Sequence, residues 1–275
     1  MKLIDPHFHA VCRTCDDYES IRRSGTVAIT EPAFWAGFDR GSAEAFDQYF
    51  RQLTQFEPRR AAQHGVKHFT WICLNPKEAE DMTLAREVLA IIPPYLQAAN
   101  VLGVGEIGLN KNSRNELEIL EEHIRMAADH DQLILVHTPH LEDKLKGTRL
   151  ILDAIRNEPR IRPDRVLIDH VEEHTLELAV ERGHWAGITV YPVSKSTPQR
   201  TADMLEVYRN EPVCVNSAAD WGPSDPHAVH KTIAELRARG HPESWLHEVF
   251  YNRPAAFLGQ SSKFPLAPEP WQPGA

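Results

Sequence analysis

Six side chains of the types that bind divalent metal ions are widely spaced along this sequence. Four are imidazoles and two are carboxylates: His7, His9, Glu106, His137, His170 and Asp220. Neutral imidazole together with ionised carboxylate suits Zn²⁺, Mn²⁺ or Fe²⁺. Such a set could also hold two ions about 3.5–4 Å apart, with one carboxylate between them. We therefore predict one or two divalent ions, zinc before manganese, magnesium or iron, with Glu106 at the centre of the site.

Most of these residues stand at the ends of apolar runs that read as β-strands. Glu106 ends such a run, as do His137 and His170. Residues 2–10 read as an extended stretch, which places Asp5, His7 and His9 on one face because successive side chains alternate. Asp5 is expected to orient one of the two histidines as a hydrogen-bond acceptor. Each residue alone is more often structural than a ligand, so the prediction depends on their joint occurrence.

Strand-like runs and helical stripes alternate about eight times along the chain, at intervals of about 30 residues. The runs lie near residues 2–10, 25–30, 66–74, 101–109, 132–137, 165–170, 185–191 and 212–217. This alternation predicts parallel strands joined by helices, closed into a single-domain (β/α)₈ TIM barrel. An open doubly wound sheet is the alternative. In a barrel the carboxyl ends of the strands form the active face, where the candidate ligands would meet.

Local signals set the expected boundaries of several elements. Residues 43–63 and 114–130 each read as one helix, and Asp225 reads as the N-cap of a helix that starts at Pro226. The barrel, with its C-terminal helix, is expected to span residues 1–260. Residues 261–275 form a proline-rich tail, to which no function is assigned.

The composition narrows the classes of function. The net charge of −9 argues against a nonspecific grip on nucleic acid, which needs many basic side chains. Four cysteines (Cys12, Cys15, Cys73 and Cys214) are too few for a disulfide scaffold. The sequence contains no apolar run of about 18 residues, the length that a membrane-spanning helix needs. The N-terminus also lacks the apolar core of a secretion signal. We expect a cytoplasmic protein that acts on a small molecule, without a membrane or nucleic-acid partner.

Three further patterns are weighed and set aside. Gly103, Gly105 and Gly108 fit a dinucleotide-binding pattern, but that site requires a helix directly after the strand. The stretch from His170 to His174 fits a zinc-peptidase pattern that needs a helix, whereas a strand ends at His170. Cys12 and Cys15 lack a second cysteine pair and are read as incidental.

The ordered set of motifs resembles the TatD-like family of metal-dependent hydrolases, in the amidohydrolase superfamily. The resemblance rests on Asp5-Pro-His-Phe-His9, Gly105-Glu-Ile-Gly-Leu109, Val136-His-Thr138, Asp169-His170, Asp220 and the closing helix at residues 251–259. It implies a TIM barrel, a one- or two-ion site and hydrolysis of an ester bond, often a phosphoester. By position, it implies that His7, His9 and Asp220 hold one ion, that His137 and His170 hold the other, and that Glu106 lies between them.

The sequence departs from that family's pattern at three places. Asn110 stands where an acid usually follows the glutamate strand, and Pro139 stands where an arginine is common. The usual Thr-Asp-Ser-Pro is replaced by a stretch that contains both Asp220 and Asp225. These changes indicate a divergent branch with a different substrate, and they leave Asp225 as an alternative to Asp220.

The predicted reaction is the attack of metal-activated water on an ester bond of a small substrate, with Glu106 and Asp220 as catalytic residues. Asp220 would act as the general base. Substrate contacts are expected from the loops after strands five and seven, at His140, Lys144, Tyr191 and Lys195. The alternatives are a metal-dependent nuclease, a non-catalytic metal-binding protein and a phosphatase of the histidinol-phosphatase type, which also opens with His-x-His.

Overall fold

Eight parallel strands, each hydrogen-bonded to its neighbour in chain order, form the centre of the molecule. The computed structural model describes residues 1–139 and 142–272. The strands are β1 (Leu3–Asp5), β2 (Thr26–Pro32), β3 (Lys67–Ile72), β4 (Val101–Gly108), β5 (Leu133–His137), β6 (Val166–Asp169), β7 (Trp185–Thr189) and β8 (Val213–Asn216).

Helices follow the strands and cover the outside of the sheet. They are α1 (Cys15–Arg23), α2 (Ala43–Arg51), α3 (Glu57–Gln63), α4 (Met82–Tyr95), α5 (Arg114–Asp129), α6 (Lys144–Arg156), α7 (Leu176–Val180), α8 (Pro198–Val207), α9 (Ala228–Ala238), α10 (Glu243–His247) and α11 (Arg253–Leu258). None of the helices in this part of the chain has both the length and the hydropathy that crossing a membrane requires.

The seam between the first and last strands is joined by backbone hydrogen bonds just beyond their carboxyl ends. The Ala218 amide donates to the His7 carbonyl at 2.8 Å, and the His9 amide donates to the Ala219 carbonyl at 3.0 Å. The sheet is therefore a nearly closed barrel. The predicted single-domain TIM barrel is confirmed, and the open doubly wound sheet is wrong.

Alternation along each strand decides which side chains enter the barrel. On β5, Leu133 and Leu135 belong to the inner cluster, whereas Ile134 and Val136 pack outward with the helices. His137 continues the inner series at the carboxyl end of the strand, because side chains two apart share a face. The apolar interior thus ends in a polar layer at the carboxyl ends of the strands.

Three predicted boundaries differ from the structure. β1 ends at Asp5, because Pro6 has no backbone N–H to donate to a ladder; His7 and His9 lie beyond the strand. The helix predicted at 43–63 is divided by a wider π-helical turn over Gln52–Phe56. The third difference is at α9, which begins at Ala228 rather than Pro226.

The described part of the proline-rich tail, residues 261–272, lies across the amino end of the barrel. Phe264 is buried in the inner cluster, with its ring centroid 4.8 Å from that of Phe69. Lys263 Nζ donates to the Val101 carbonyl at 3.0 Å, and the Glu269 amide donates to Asn252 Oδ1 at 2.9 Å. These contacts fix the tail to the end of the barrel opposite the candidate ligands. The division of the chain at residue 260 stays a prediction.

Candidate metal centre

Glu106 and three buried histidines meet at the carboxyl end of the barrel. Glu106 Oε2 lies 3.1 Å from His137 Nδ1, 3.4 Å from His170 Nε2 and 3.8 Å from His7 Nε2. His9 completes the cluster, with its Nε2 atom 3.0 Å from His7 Nε2. The structure therefore brings together five of the six predicted ligands, from four separate segments of the chain.

A break in the regular pairing of β4 turns Glu106 toward the interior. Val104 and Ile107 both pack outward, and the register with β5 shifts between them. Strict alternation from Val104 would send Glu106 outward as well. Gly105 allows this arrangement because a Cβ atom there would lie 2.8 Å from Leu135 Cβ. Such local irregularities re-aim side chains at functional sites.

The geometry of the cluster fits divalent metal ions. Two groups of three ligand atoms, each within 4.8 Å of one another, share the carboxylate: His7 with His9 and Glu106, and Glu106 with His137 and His170. Nitrogen ligands about 2.0–2.1 Å from a tetrahedral Zn²⁺ ion are about 3.3 Å apart. Three of the four separations given above, 3.0 to 3.4 Å, are close to this value, and the fourth, between Glu106 and His7, is 3.8 Å. Neutral imidazole and carboxylate are also the appropriate donor types.

Hydrogen bonds on the far side of two imidazoles fix which nitrogen faces the cluster. His7 Nδ1 lies 2.6 Å from Asp169 Oδ2. His170 Nδ1 lies 2.6 Å from the Thr189 hydroxyl, whose own proton is directed to Asp169 or Asn216. Both Nδ1 atoms therefore donate, which leaves each Nε2 lone pair free to bind an ion.

The electrostatics of the cluster favour the forms that bind metal. Burial lowers the pKa of His9 and of His170 well below the usual histidine value, so both rings are neutral. Burial alone would raise the pKa of Glu106. The charge of His7, with the contacts that Glu106 makes with His137 and His170, instead holds this pKa well below the ordinary range. Burial opposes the charged form of His7, yet Glu106 and Asp169 raise its pKa. An ion would displace that proton, since a metal ligand must be deprotonated.

Asp220 is the predicted ligand that the structure leaves outside the cluster. Its Oδ1 atom accepts hydrogen bonds from the Tyr191 hydroxyl at 3.0 Å and from the Gly222 amide at 2.8 Å. It lines the same pocket as Glu106, but the three-ligand groups found within residues 1–139 and 142–272 do not include it. Asp225, the alternative, pairs with Lys231 and accepts from the His227 amide in the turn before α9.

Asp5 has a different partner from the one expected. Asp5 Oδ1 accepts from the His7 backbone amide at 3.2 Å, and its Oδ2 accepts from the Ser217 hydroxyl at 2.6 Å. It therefore links β1 to the end of β8, while Asp169 is the carboxylate that holds a histidine ring. The strand pattern contained a signal for Asp169, because Leu167 two residues earlier faces the barrel interior.

The predicted substrate contacts divide into three cases. Tyr191 and Lys195 line the pocket above the cluster. Lys144 is buried, and its ammonium group already has partners within the protein. It donates to the Pro139 carbonyl at 3.0 Å and lies 3.6 Å from Glu172 Oε1. His140 lies outside the described residues.

The pocket also contains residues that the sequence did not single out. Asn75 Nδ2 donates to Glu106 Oε1 at 3.2 Å, and Phe34 stacks on the His9 ring with the centroids 3.7 Å apart. Lys77, Trp35 and Trp221 form part of the wall. Asn75 and Lys77 directly follow the third strand, a position that marks them as candidates; the tryptophans lie in loops without such a signal.

The three patterns set aside remain outside the site. Gly103, Gly105 and Gly108 all lie within β4, and the next α-helix starts only at Arg114. The segment from His170 to His174 precedes α7, which begins at Leu176. Cys12 and Cys15 are free thiols outside the wall of the pocket.

The contact between Asp169 and His7 predicts the phenotype of Asp169→Asn. An amide can still accept from His7 Nδ1, but it loses the charge that makes the imidazole a better ligand. We expect metal affinity to fall by about 10- to 100-fold, as measured by competition with a chromogenic chelator. Asp164→Asn is the matched control, because Asp164 lies just before the same strand and pairs with Arg162 at the surface. Equal affinity in the two variants would contradict the assignment.

The chain is similar to known proteins over most of its length. A model of the family described as TatD related DNase matches residues 50–238. An uncharacterised metal-dependent hydrolase of Methanocaldococcus jannaschii is 25% identical over 255 residues, covering 93% of this chain and 99% of that protein.

Three solved structures share the architecture. The TatD-like protein of Archaeoglobus fulgidus superposes with a TM-score of 0.75 at 25% identity, covering 93% of this chain and 99% of that one. The Escherichia coli phosphotriesterase homology protein, solved with phosphate in its active site, gives 0.64 at 14% identity, covering 94% and 98%. A β-aspartyl dipeptidase of Fervidobacterium islandicum gives 0.65 at 16% identity, covering 93% and 74%. At 14% and 16% identity, the last two matches show only that the fold is shared.

Proposed function

Because the chain belongs to the TatD-related DNase family of hydrolases, we propose that it uses one or two divalent metal ions to cleave an ester bond of a small substrate. One observation carries this proposal: Glu106 Oε2 lies between His7 on one side and His137 and His170 on the other. Glu106 would therefore hold an ion together with the histidines on either side of it. Zinc is the proposed ion, because imidazoles dominate the donor set.

When bound, such an ion polarises the scissile group and lowers the pKa of water toward about 7. His7, His9, His137 and His170 would hold the ions together with Glu106. Asp220 is placed in the pocket wall and outside the ligand groups, so we assign it the role of the general base that takes a proton from water. The Tyr191 hydroxyl fixes one Asp220 oxygen. In the overall reaction the acyl or phosphoryl group gains the hydroxyl of water, and the departing alcohol gains the proton.

The size of the pocket favours a small substrate. Its volume is about 190 Å³, below the about 300–1,000 Å³ of sites for drug-sized ligands. Buried side chains form the floor of the pocket, so the bond to be cleaved must enter the pocket to reach them.

A nuclease is the second candidate, because the family that matches residues 50–238 is described by that activity. The net charge of −9 weighs against it, since a nonspecific grip on DNA needs many basic contacts. Nicking of plasmid DNA that falls steeply with salt would favour the nuclease over the small-molecule hydrolase.

The deciding experiment pairs elemental analysis of the purified protein with a screen of phosphoesters, lactones and amides. We expect at least one equivalent of a transition metal and turnover of at least one ester, and we expect His137→Ala to lose both while keeping its circular dichroism spectrum. Bound metal without turnover on any substrate would indicate the non-catalytic alternative. Absence of metal under replete conditions would remove the proposal.

A further inference from the structure

Two lysines reach the pocket from opposite sides of the barrel mouth. Lys77 follows β3 and Lys195 follows β7, and both line the cavity above Glu106. Each ammonium lies against an aromatic ring: Lys77 Nζ is 4.7 Å from the Trp35 centroid, and Lys195 Nζ is 4.8 Å from the Tyr191 centroid. Cation–π contacts of this kind hold a flexible side chain in one position.

Neither ammonium is neutralised by a neighbouring carboxylate. Within the described part of the chain, no Asp or Glu oxygen lies within 4.0 Å of Lys77 or Lys195. Lys144, by contrast, is paired with Glu172 beside the same face of the barrel. Burial lowers the pKa of Lys195, and the charges of Glu106, Asp169 and Asp220 oppose that shift. An unpaired cation in a partly enclosed pocket is a ready site for an anion.

The charge balance of the pocket indicates which anion would fit. Lys77 and Lys195 carry two positive charges, against three negative charges on Glu106, Asp220 and, behind His7, Asp169. With the imidazoles neutral, one divalent ion would leave an excess of one positive charge, and two ions an excess of three. A phosphate group suits such an excess, because it carries up to two negative charges on three terminal oxygens. A carboxylate offers only one charge and two oxygens.

The outer wall is suited to a planar group. Trp35 and Trp221 meet edge to face with their ring centroids 5.9 Å apart, and Trp221 is 54% exposed. An indole of this size is rarely left so open to water unless its face is used. Both tryptophans line the cavity beside Lys77.

We propose that Lys77 and Lys195 form a phosphate clamp at the barrel mouth, and that the substrate is a compact phosphomonoester whose planar ring lies against Trp221. This inference rests on the proposed function, because it names the substrate class of the same site.

The first test measures binding without turnover. Titration of the metal-loaded protein with inorganic phosphate, followed by calorimetry, should show an affinity that falls roughly tenfold or more in Lys195→Met and in Lys77→Met. Lys195→Arg should stay within about threefold of the parent because the charge is kept. Lys67→Met is the matched control, since Lys67 is exposed at the opposite end of β3. Elemental analysis of each variant must show unchanged metal content.

The second test compares phenyl phosphate with phenyl acetate, which share a leaving group and differ in charge. The lysine variants should lower the ratio of kcat/KM for phenyl phosphate to kcat/KM for phenyl acetate by roughly tenfold or more. Trp221→Leu should weaken phenyl phosphate binding roughly fivefold and leave inorganic phosphate unchanged. Phosphate affinity equal in Lys77→Met, Lys195→Met and Lys67→Met would overturn the clamp even if the enzyme is active. Failure of the parent to hydrolyse any ester would count against the proposed function, while calorimetry would still decide on the clamp.

Discussion

Glu106→Gln is expected to abolish hydrolysis, with kcat/KM reduced on the order of 10³-fold or more, which is about 4 kcal/mol of transition-state stabilisation. Glu106 Oε2 is the shared neighbour of His7, His137 and His170. The amide removes the negative charge between the two ligand groups and can turn N–H donors toward the ions. We therefore expect metal content and rate to fall together, as measured by elemental analysis and steady-state kinetics.

The fold should survive this substitution, because glutamine has nearly the same size and Asn75 can still donate to its oxygen. Thermal unfolding of the metal-free variant should thus resemble that of the metal-free parent. Glu118→Gln serves as the control, since Glu118 pairs with Arg86 on the outer surface of α5. A Glu106→Gln protein that keeps its metal and at least a tenth of its kcat/KM would contradict the bridging role.

Asp220→Asn is expected to separate catalysis from metal binding. The substitution should lower kcat by about 10²- to 10⁴-fold, the usual contribution of a positioned general base. Metal content should remain unchanged, because Asp220 lies outside the ligand groups, and the Tyr191 hydroxyl can still donate to the amide oxygen. The same assays that follow Glu106→Gln measure this difference.

Two companion variants make the test of Asp220 specific. In Asp220→Ala the lost carboxylate leaves room beside the pocket, so added formate should restore part of the rate. Asp225→Asn should keep kcat within about threefold, since its carboxylate is engaged by Lys231. Loss of metal in Asp220→Asn would identify it as a ligand instead, and an unchanged rate would exclude it as the base.

The roles of Asp220 and Asp169 show how local spacing can mislead. Asp220 stands near the end of β8 in the sequence, but the chain turns after Asn216, and Ala218 with a φ of 40° occupies the wall nearest to the seam. Asp169 stands beside His170 in the sequence, yet its carboxylate holds His7, 162 positions away in the chain. The number of residues between a side chain and the end of a strand does not reveal which way the backbone turns after that strand.

The barrel itself could be predicted, because it depends on signals that every segment carries locally. Apolar runs of strand length alternate with helical stripes, and the structure adds a capping box of Ser113 and Glu116 at the start of α5. His137 could be placed for the same reason, as the next inward position after Leu133 and Leu135. Period-two alternation and burial are properties of a short segment, so a sequence reveals them.

The sequence by itself determined the class of fold, the end of the barrel at which the candidate site lies and the five candidate ligands that meet there, all through patterns within single segments. Only the tertiary structure decided the inward turn of Glu106 at the irregularity in β4, the partners of Asp5 and Asp169, and the position of Lys77 opposite Lys195. Each of these depends on how two distant strands are registered against each other, and registration is set by packing across the whole barrel. No short segment contains that information.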